Sequence, residues 1–158
     1  LRPGLRIFAA EPAGADDARQ SFATGRLVPQ THPDTIADGL RTSLGELTWP
    51  ILRDHLEQVV TVTDDEIVAA MRLVWERAKL VIEPSAAVPV AAVLKQEFRE
   101  LPGIEHIAVV LSGGNVNLDA LPWNLERSGS RKTSGPRQKT RYRGATRARA
   151  ENPIRKKP

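Results

Sequence analysis

The sequence predicts an α/β fold with a parallel sheet. Three short apolar runs, residues 5–10, 58–62 and 106–111, are separated by stretches with helical periodicity, which is the alternation typical of parallel strands joined by helices. The last run, His-Ile-Ala-Val-Val-Leu, is almost continuously apolar, as in strands that are covered on both faces. We therefore expect one layered domain in which these runs form the sheet.

The helices are predicted from apolar residues at three- and four-residue spacing, and from the residues that start and stop helices. The predicted helices are residues 14–24, 48–56, 64–81 and 86–98. Gly25 is the predicted stop of the first helix. Thr63 and Glu66 form a Thr-x-x-Glu capping box at the start of the third, and Ser85 is the predicted cap of the fourth.

The number of strands indicates an incomplete sheet. Three strands are few for a parallel sheet, and they leave edges that can pair with another chain. The chain also opens on Leu1 rather than methionine, with a strand already predicted at residues 5–10. We expect a fragment whose N-terminal portion is missing.

Composition excludes several kinds of site and location. The chain has no cysteine, so a disulfide framework, a zinc-thiolate site and a cysteine nucleophile are excluded. No apolar stretch approaches the roughly 20 residues that a membrane span needs. The sequence therefore predicts a cytoplasmic protein that does not enter a membrane.

Charge divides the chain into two parts. Residues 124–158 contain twelve Lys/Arg and two acidic residues, a net charge of +10, whereas residues 1–123 contain the other 11 Lys/Arg and 17 acids, or −6. We interpret residues 1–123 as the folded domain and residues 124–158 as a basic disordered tail, since the tail is poor in apolar residues. The tail either binds nucleic acid or anionic surfaces nonspecifically, or is a read-through or mispredicted exon, which we favour.

Two motifs resemble ligand sites but also have structural explanations. Ser112-Gly113-Gly114-Asn115 follows the third strand, at the sheet edge where α/β folds bind ligands, yet a glycine turn is the simpler interpretation. Glu11 and Asp17 flank a strand-to-helix turn and offer hard oxygen ligands for magnesium or calcium. Acids near a helix start are common, so the alternative is that Asp16 and Asp17 stabilise that helix while Glu11 is solvated.

Two further pairs of residues have weaker signals. Lys79 and Glu83, four residues apart at a helix end, suggest a surface pair, or else Glu83 projects into a pocket. Asp38-Gly39 indicates a turn, with a ligand contact as the alternative.

These motifs are parts of a longer ordered set of segments, namely Ala9-Ala10-Glu11-Pro12, Ala15-Asp16-Asp17, Thr35-Ile36-Ala37-Asp38-Gly39, Thr48-Trp49-Pro50-Ile51, Val74-Trp75-Glu76-Arg77-Ala78-Lys79, Glu83-Pro84 and Leu111-Ser112-Gly113-Gly114-Asn115-Val116. With these segments, residues 1 to about 123 resemble the C-terminal part of eukaryotic-type serine racemases and the related serine/threonine dehydratases. The resemblance implies the large parallel-sheet domain of a tryptophan synthase β-like, fold type II enzyme that depends on pyridoxal 5'-phosphate.

The resemblance also assigns roles to residues. It implies that Ser112 holds the pyridine nitrogen of the cofactor, and that Gly39, Glu83 and Gly113 line the cofactor pocket. It implies a Mg²⁺ or Ca²⁺ site formed by three groups, namely Glu11, the carbonyl of Ala15, and Asp17. Finally, it implies that Lys79 and Asn115 contact an activating nucleotide such as ATP at a homodimer interface.

The same resemblance implies that catalytic groups are absent. The Schiff-base lysine and the glycine-rich phosphate loop lie upstream in that family, and neither Lys79 nor Lys95 matches the catalytic motif. We therefore assign no catalytic residue. The complete enzyme is expected to racemise L-serine, or to eliminate water from L-serine or L-threonine to give a 2-oxo acid and ammonia, with this chain alone inactive. The alternative is a non-enzymatic basic protein that binds through its tail.

Overall fold

The computed structural model describes residues 4–124. Strands β1 (Phe8–Pro12) and β2 (Gln58–Val62) pair in parallel, with Phe8 opposite Gln58 and Pro12 opposite Val62. The helices of the described part are α1 (Asp17–Thr24), α2 (Trp49–His55), α3 (Asp64–Ala78), α4 (Pro84–Leu94) and α5 (Gln96–Arg99), with 3₁₀ turns at Asp38–Leu40 and Leu118–Ala120. The predicted α/β fold with a parallel sheet is confirmed.

Two predicted helix signals are confirmed in atomic detail. Gly25 ends α1 in the left-handed region with φ of 68°, a conformation that glycine adopts without steric cost. At the start of α3, the N–H of Glu66 donates to Thr63 Oγ1 at 3.3 Å, and the N–H of Thr63 donates to Glu66 Oε2 at 2.7 Å. This reciprocal pair is the predicted capping box.

Other predicted helix limits were wrong. α3 ends at Ala78 rather than residue 81, because Lys79 turns into the left-handed region with φ of 59°. The helix predicted at residues 86–98 is broken at Lys95, whose extended backbone separates α4 from α5. Ser85 does not cap α4, since Glu83 is the N-cap residue and the helix begins at Pro84.

The core lies where α4 packs against α3 and the sheet. Its fully or almost fully buried side chains include Val60 and Val62 of β2, Ile67 and Met71 of α3, and Val88 of α4. Burying an aliphatic side chain of this size contributes about 1.5–3 kcal/mol relative to leaving it in water. The apolar face of α3 predicted from its spacing is therefore the face that packs on the core.

The predicted third strand does not form in the described structure. Residues 106–111 pair with neither β1 nor β2, and Ile107 and Val110 are 51% and 78% exposed. A parallel strand exists only where a neighbouring strand satisfies its backbone groups. The apolar pattern of this segment therefore indicates a strand for which residues 4–124 supply no partner.

Two further predictions concern membrane-spanning segments and the basic tail. No helix among residues 4–124 combines the length and apolar character that crossing a membrane requires. Apart from Asn124, the predicted tail at residues 124–158 lies outside the described residues. Its disorder and the domain boundary at residue 123 stay predictions.

Candidate functional site

The glycine loop at residues 112–115 is attached to the start of α4 through Glu83. The N–H of Glu83 donates to the carbonyl of Gly113 at 3.0 Å, and Glu83 Oε2 accepts the N–H of Asn115 at 2.8 Å. Both hydrogen bonds join segments about thirty residues apart, so they position the loop against the helix rather than shape it locally. The carboxylate of Glu83 therefore faces the loop and not a partner on the protein surface.

The two glycines of this loop are required by close contacts. A Cβ added to Gly113 would lie 2.8 Å from the Glu83 carboxylate, and one added to Gly114 would lie 2.5 Å from the carbonyl oxygen of Val81. The second contact is with backbone, which cannot move aside as a side chain can. The loop therefore approaches residues 81–83 more closely than any other residue type permits.

Gly39 joins the same region through Ser85. The N–H of Gly39, in the 3₁₀ turn Asp38–Leu40, donates to Ser85 Oγ at 3.1 Å and to its neighbour Asp38 at 3.0 Å. Ser85 is buried in the first turn of α4, directly after Glu83 and Pro84. Three predicted pocket residues, Gly39, Glu83 and Gly113, thus gather at the N-terminal end of α4.

Ser112 presents its hydroxyl to solvent at the beginning of this loop. The residue is exposed, and its side chain has no hydrogen-bond partner among residues 4–124. An uncommitted hydroxyl can both donate and accept a hydrogen bond. The loop therefore offers one uncommitted polar group beside two glycines that pack closely against residues 81–83.

Asp64 supports the Gly39 turn and was missed by sequence reasoning. Its carboxylate accepts hydrogen bonds from Thr35 Oγ1 at 2.6 Å and from the N–H of Ile36 at 3.0 Å, which fixes the segment leading to Gly39. In the sequence, Asp64 is one of three acids in the first turn of a helix, where acids are common. No local signal separates this positioning residue from its neighbours.

Lys79 lies apart from Glu83, so the predicted surface pair was wrong. Because α3 ends at Ala78, Lys79 does not sit one helical turn from Glu83, and its Nζ donates instead to the carbonyl of Glu76 at 2.7 Å. The structure gives no contact between Lys79 and Asn115, the two residues assigned to a nucleotide effector, although both are exposed. That assignment stays a prediction.

Glu11, Ala15 and Asp17 form a second, mostly buried cluster between β1 and α1. The two oxygens of Glu11 accept the N–H groups of Ala18 and Arg19 at 3.0 and 2.9 Å, and Asp17 accepts the N–H of Leu44 at 3.1 Å. Glu11 is 8% exposed and Asp17 3%. Glu11 therefore holds the start of α1, so the alternative in which Glu11 is solvated was wrong, whereas the carboxylate of Asp17 connects α1 to Leu44.

The electrostatics of this cluster are dominated by the burial of Glu11. Burial, with smaller contributions from the nearby charges of Asp17 and Asp16, raises the pKa of Glu11 to about 7, although two backbone hydrogen bonds oppose the rise. Glu11 and Asp17 border a cavity of about 200 Å³. Among residues 4–124 no group of three His, Cys, Asp or Glu side chains could hold a metal. The predicted metal site, which consists of two carboxylates and one carbonyl, stays a prediction.

Comparisons with known proteins point to one family. Residues 1–113 match the family model described as pyridoxal-phosphate dependent enzyme. Bovine serine racemase is 54% identical over 125 residues, which are 78% of this chain and 37% of that protein. This chain therefore spans little more than a third of the length of that relative.

Solved structures agree with the family match. The structure of maize serine racemase superposes with a TM-score of 0.73 at 43% identity, covering 80% of this chain and 39% of the other. The processed form of threonine deaminase isoform 2 from Solanum lycopersicum superposes with a TM-score of 0.72 at 30% identity, covering 82% of this chain and 36% of the other.

Proposed function

The chain belongs to the family of pyridoxal-phosphate dependent enzymes, among the fold type II racemases and dehydratases. We propose that it forms one wall of the cofactor pocket, and that this wall binds the nitrogen of the pyridine ring. The observation that carries this proposal is the exposed hydroxyl of Ser112 on a glycine loop that Glu83 fixes to α4. Gly39 and Gly113 lie beside that wall and leave it without bulky side chains.

The residues present fit a pyridine ring. A hydroxyl can donate a hydrogen bond to an unprotonated ring nitrogen, whereas a carboxylate would need that nitrogen protonated. Pyridoxal phosphate, when bound, supplies an electron sink for reactions at the α-carbon of an amino acid. A serine at this position would leave the ring nitrogen largely unprotonated, so the ring would withdraw electrons less strongly from the α-carbon. Glu83 acts on the ring indirectly, since its Oε2 already accepts the N–H of Asn115.

The proposed substrates are L-serine and L-threonine. The proposed reactions are racemisation of serine and elimination of water, which gives a 2-oxo acid and ammonia. The support is that the similar proteins are named serine racemase and threonine deaminase. This chain covers only 36% to 39% of the length of those proteins. The reaction is therefore proposed for a complete enzyme in which this chain forms one wall of the pocket.

We propose that this chain alone does not complete the reaction. The lysines of the described part are Lys79, which donates to the carbonyl of Glu76, and Lys95, which donates to the carbonyl of Thr61 at 3.1 Å and lies 3.5 Å from Glu66. Lys79 therefore stabilises the C-terminal end of α3, and Lys95 connects the end of α4 to β2. Each ammonium group is thus engaged in a contact within the domain.

A divalent cation and a nucleotide complete the proposal. Mg²⁺ or Ca²⁺ would bind Glu11, the carbonyl of Ala15, and Asp17, and the buried carboxylates beside a small cavity support this site. ATP would act as an effector through Lys79 and Asn115 in a homodimer, supported by the exposure of both side chains.

A chimera tests the proposed function. Replacing the 125 aligned residues of bovine serine racemase with the matching residues of this chain should give an enzyme that binds pyridoxal phosphate and turns over L-serine. Ser112→Ala in the chimera should lower kcat, while Thr24→Ala, which removes an exposed hydroxyl that donates to the carbonyl of Gln20 in α1, should leave it unchanged. A folded chimera that binds the cofactor without acting on serine or threonine would refute the proposed reaction.

The alternative function rests on the charge of residues 124–158 alone. Twelve Lys/Arg against two acids favour nonspecific, salt-dependent contacts with nucleic acid. Gel shift of a DNA duplex should then disappear when residues 124–158 are deleted. A shift that survives the deletion would exclude this mechanism.

A further inference from the structure

The glycine loop rests on residues 81–83, which lie in a connection without regular secondary structure. α3 ends at Ala78 and α4 begins at Pro84, so the peptide group that joins Ile82 to Glu83 lies outside both helices. This peptide group carries the N–H of Glu83, which donates to the loop. The position of the loop therefore depends on what holds the peptide group in place.

Trp75 holds that peptide group from the side of α3. Its indole Nε1 donates to the carbonyl of Ile82 at 2.9 Å. The N–H of the same peptide group belongs to Glu83 and donates to the carbonyl of Gly113 at 3.0 Å. The indole, the peptide group and the loop carbonyl therefore form a chain of two hydrogen bonds, in which each bond polarises the peptide group in favour of the other.

Trp75 also contacts the segment that follows the loop. Its ring lies edge-to-face on the ring of Trp123, with 5.2 Å between the centroids and an angle of 84° between the planes. Aromatic rings at this angle and distance attract one another through their charge distribution as well as through burial. Val116 and Trp123 also pack against the core of the domain. One side chain of α3 thus contacts the chain beneath the loop and the chain after it.

We propose that Trp75 is a positioning residue for Ser112. It fixes the peptide group between Ile82 and Glu83, this peptide group holds the loop at Gly113, and the loop determines where the hydroxyl of Ser112 lies. The role rests on the proposed function, because it matters for the chemistry only if that hydroxyl binds the ring nitrogen. Trp75 acts through other residues and is not a catalytic residue.

The indole N–H separates this role from simple packing. Trp75 is only half-buried, and a phenylalanine would also present a ring to Trp123. A phenylalanine would not supply a donor for the carbonyl of Ile82, a residue that is 3% exposed. A buried carbonyl that loses its donor bears the cost of its desolvation. The loss of the N–H alone should therefore loosen the loop.

Hydrogen exchange in the full 158-residue chain, without cofactor, measures the positioning directly. Trp75→Phe removes the Nε1–H and keeps an aromatic ring. Exchange at the amides of Glu83 and Asn115 should accelerate about tenfold, because the peptide group loses its partner on the α3 side. The amide of Ile67, which donates to the carbonyl of Thr63 at the other end of α3, should keep its rate.

The matched control is Trp49→Phe. Trp49 is 7% exposed in α2 and makes no hydrogen bond to residues 81–83 or 112–115, all of which belong to the described part of the chain. Its replacement should leave the exchange of Glu83 and Asn115 unchanged. A second variant carries at position 75 the isostere of tryptophan in which sulfur replaces the N–H, and it should reproduce the effect of Trp75→Phe. Unchanged exchange in the isostere, or equal acceleration by Trp49→Phe, would overturn the proposal.

The chimera with bovine serine racemase connects this position to the reaction. Trp75→Phe should lower kcat for L-serine, and this loss should vanish in a chimera that already carries Ser112→Ala, because residues that act through one contact are not additive. An undiminished loss in the double variant would overturn the role of Trp75 toward Ser112. If Ser112→Ala alone leaves kcat unchanged, the proposed function fails, and the exchange rates without cofactor decide separately whether Trp75 holds the loop.

Discussion

The backbone N–H of Asn115 donates a 2.8 Å hydrogen bond to Oε2 of Glu83, across a separation of 32 residues. A second hydrogen bond runs in the opposite direction, from the N–H of Glu83 to the carbonyl of Gly113, at 3.0 Å. The two bonds connect the glycine loop to the first turn of α4. The position of Ser112 therefore depends on Glu83, although the two side chains need not touch.

Glu83→Ala should loosen the loop because it removes the acceptor for Asn115. A hydrogen bond to an ionised acceptor that is partly exposed contributes about 1 kcal/mol, so the free energy of unfolding in urea should fall by about that amount. Exchange of the Asn115 amide should accelerate in parallel. Glu83→Gln retains an acceptor oxygen and serves as the control, with a smaller loss. Equal effects of the two variants would show that the carboxylate does not act through this bond.

Gly114→Ala should be destabilising, because the new Cβ would lie 2.5 Å from the carbonyl oxygen of Val81. Overpacking against backbone costs about 1–3 kcal/mol. Gly45→Ala is the matched control, since its Cβ would meet only Thr48 Oγ1 at an ordinary 3.4 Å. Urea unfolding of both variants measures the difference. If the two alanines cost the same, the loop does not require the close approach seen here.

Sequence reasoning succeeded where the signal is local. The capping box at Thr63 and Glu66 and the stop at Gly25 depend on residues within one helical turn, and both were predicted. The limits of β2 were also predicted, because a run of apolar, mostly β-branched residues with an exposed start is a strong strand signal.

Prediction from the sequence failed where the structure depends on residues that are distant along the chain. Residues 106–111 have the composition of a strand, but strand formation requires a neighbour that the described residues do not provide. The left-handed Lys79 is not visible in the sequence, because lysine has no preference for that region. The role of Asp64 at Thr35 and Ile36 spans about thirty residues and has no local signature.

The raised pKa of Glu11 predicts a loss of stability as pH rises, in the absence of divalent cations. Its folded-state pKa is about 7, against an ordinary value of 4.5, so the folded chain binds the proton more tightly than the unfolded chain does. The stabilisation from Glu11 is complete below pH 4.5 and is lost as pH rises to about 7. Glu11→Gln, which does not titrate, should flatten this part of the curve of unfolding free energy against pH. A curve of the same slope in the variant would assign the dependence to other groups.

Mg²⁺ or Ca²⁺ should raise the thermal midpoint of the chain at about pH 7.5, because a cation would offset the charge of two buried carboxylates, Glu11 and Asp17. A ligand that binds only the folded state stabilises by RT ln(1 + [L]/Kd), about 2.7 kcal/mol at 100 times Kd. The increase should depend on cation concentration, reverse with EDTA, and disappear in Asp17→Asn. Asp54→Asn is the control, since Asp54 is an exposed residue that pairs with Arg53 and lies outside the cluster. An increase that persists in Asp17→Asn would place the cation elsewhere; Glu11 would then serve only to hold the first turn of α1, and Asp17 only to connect α1 to Leu44.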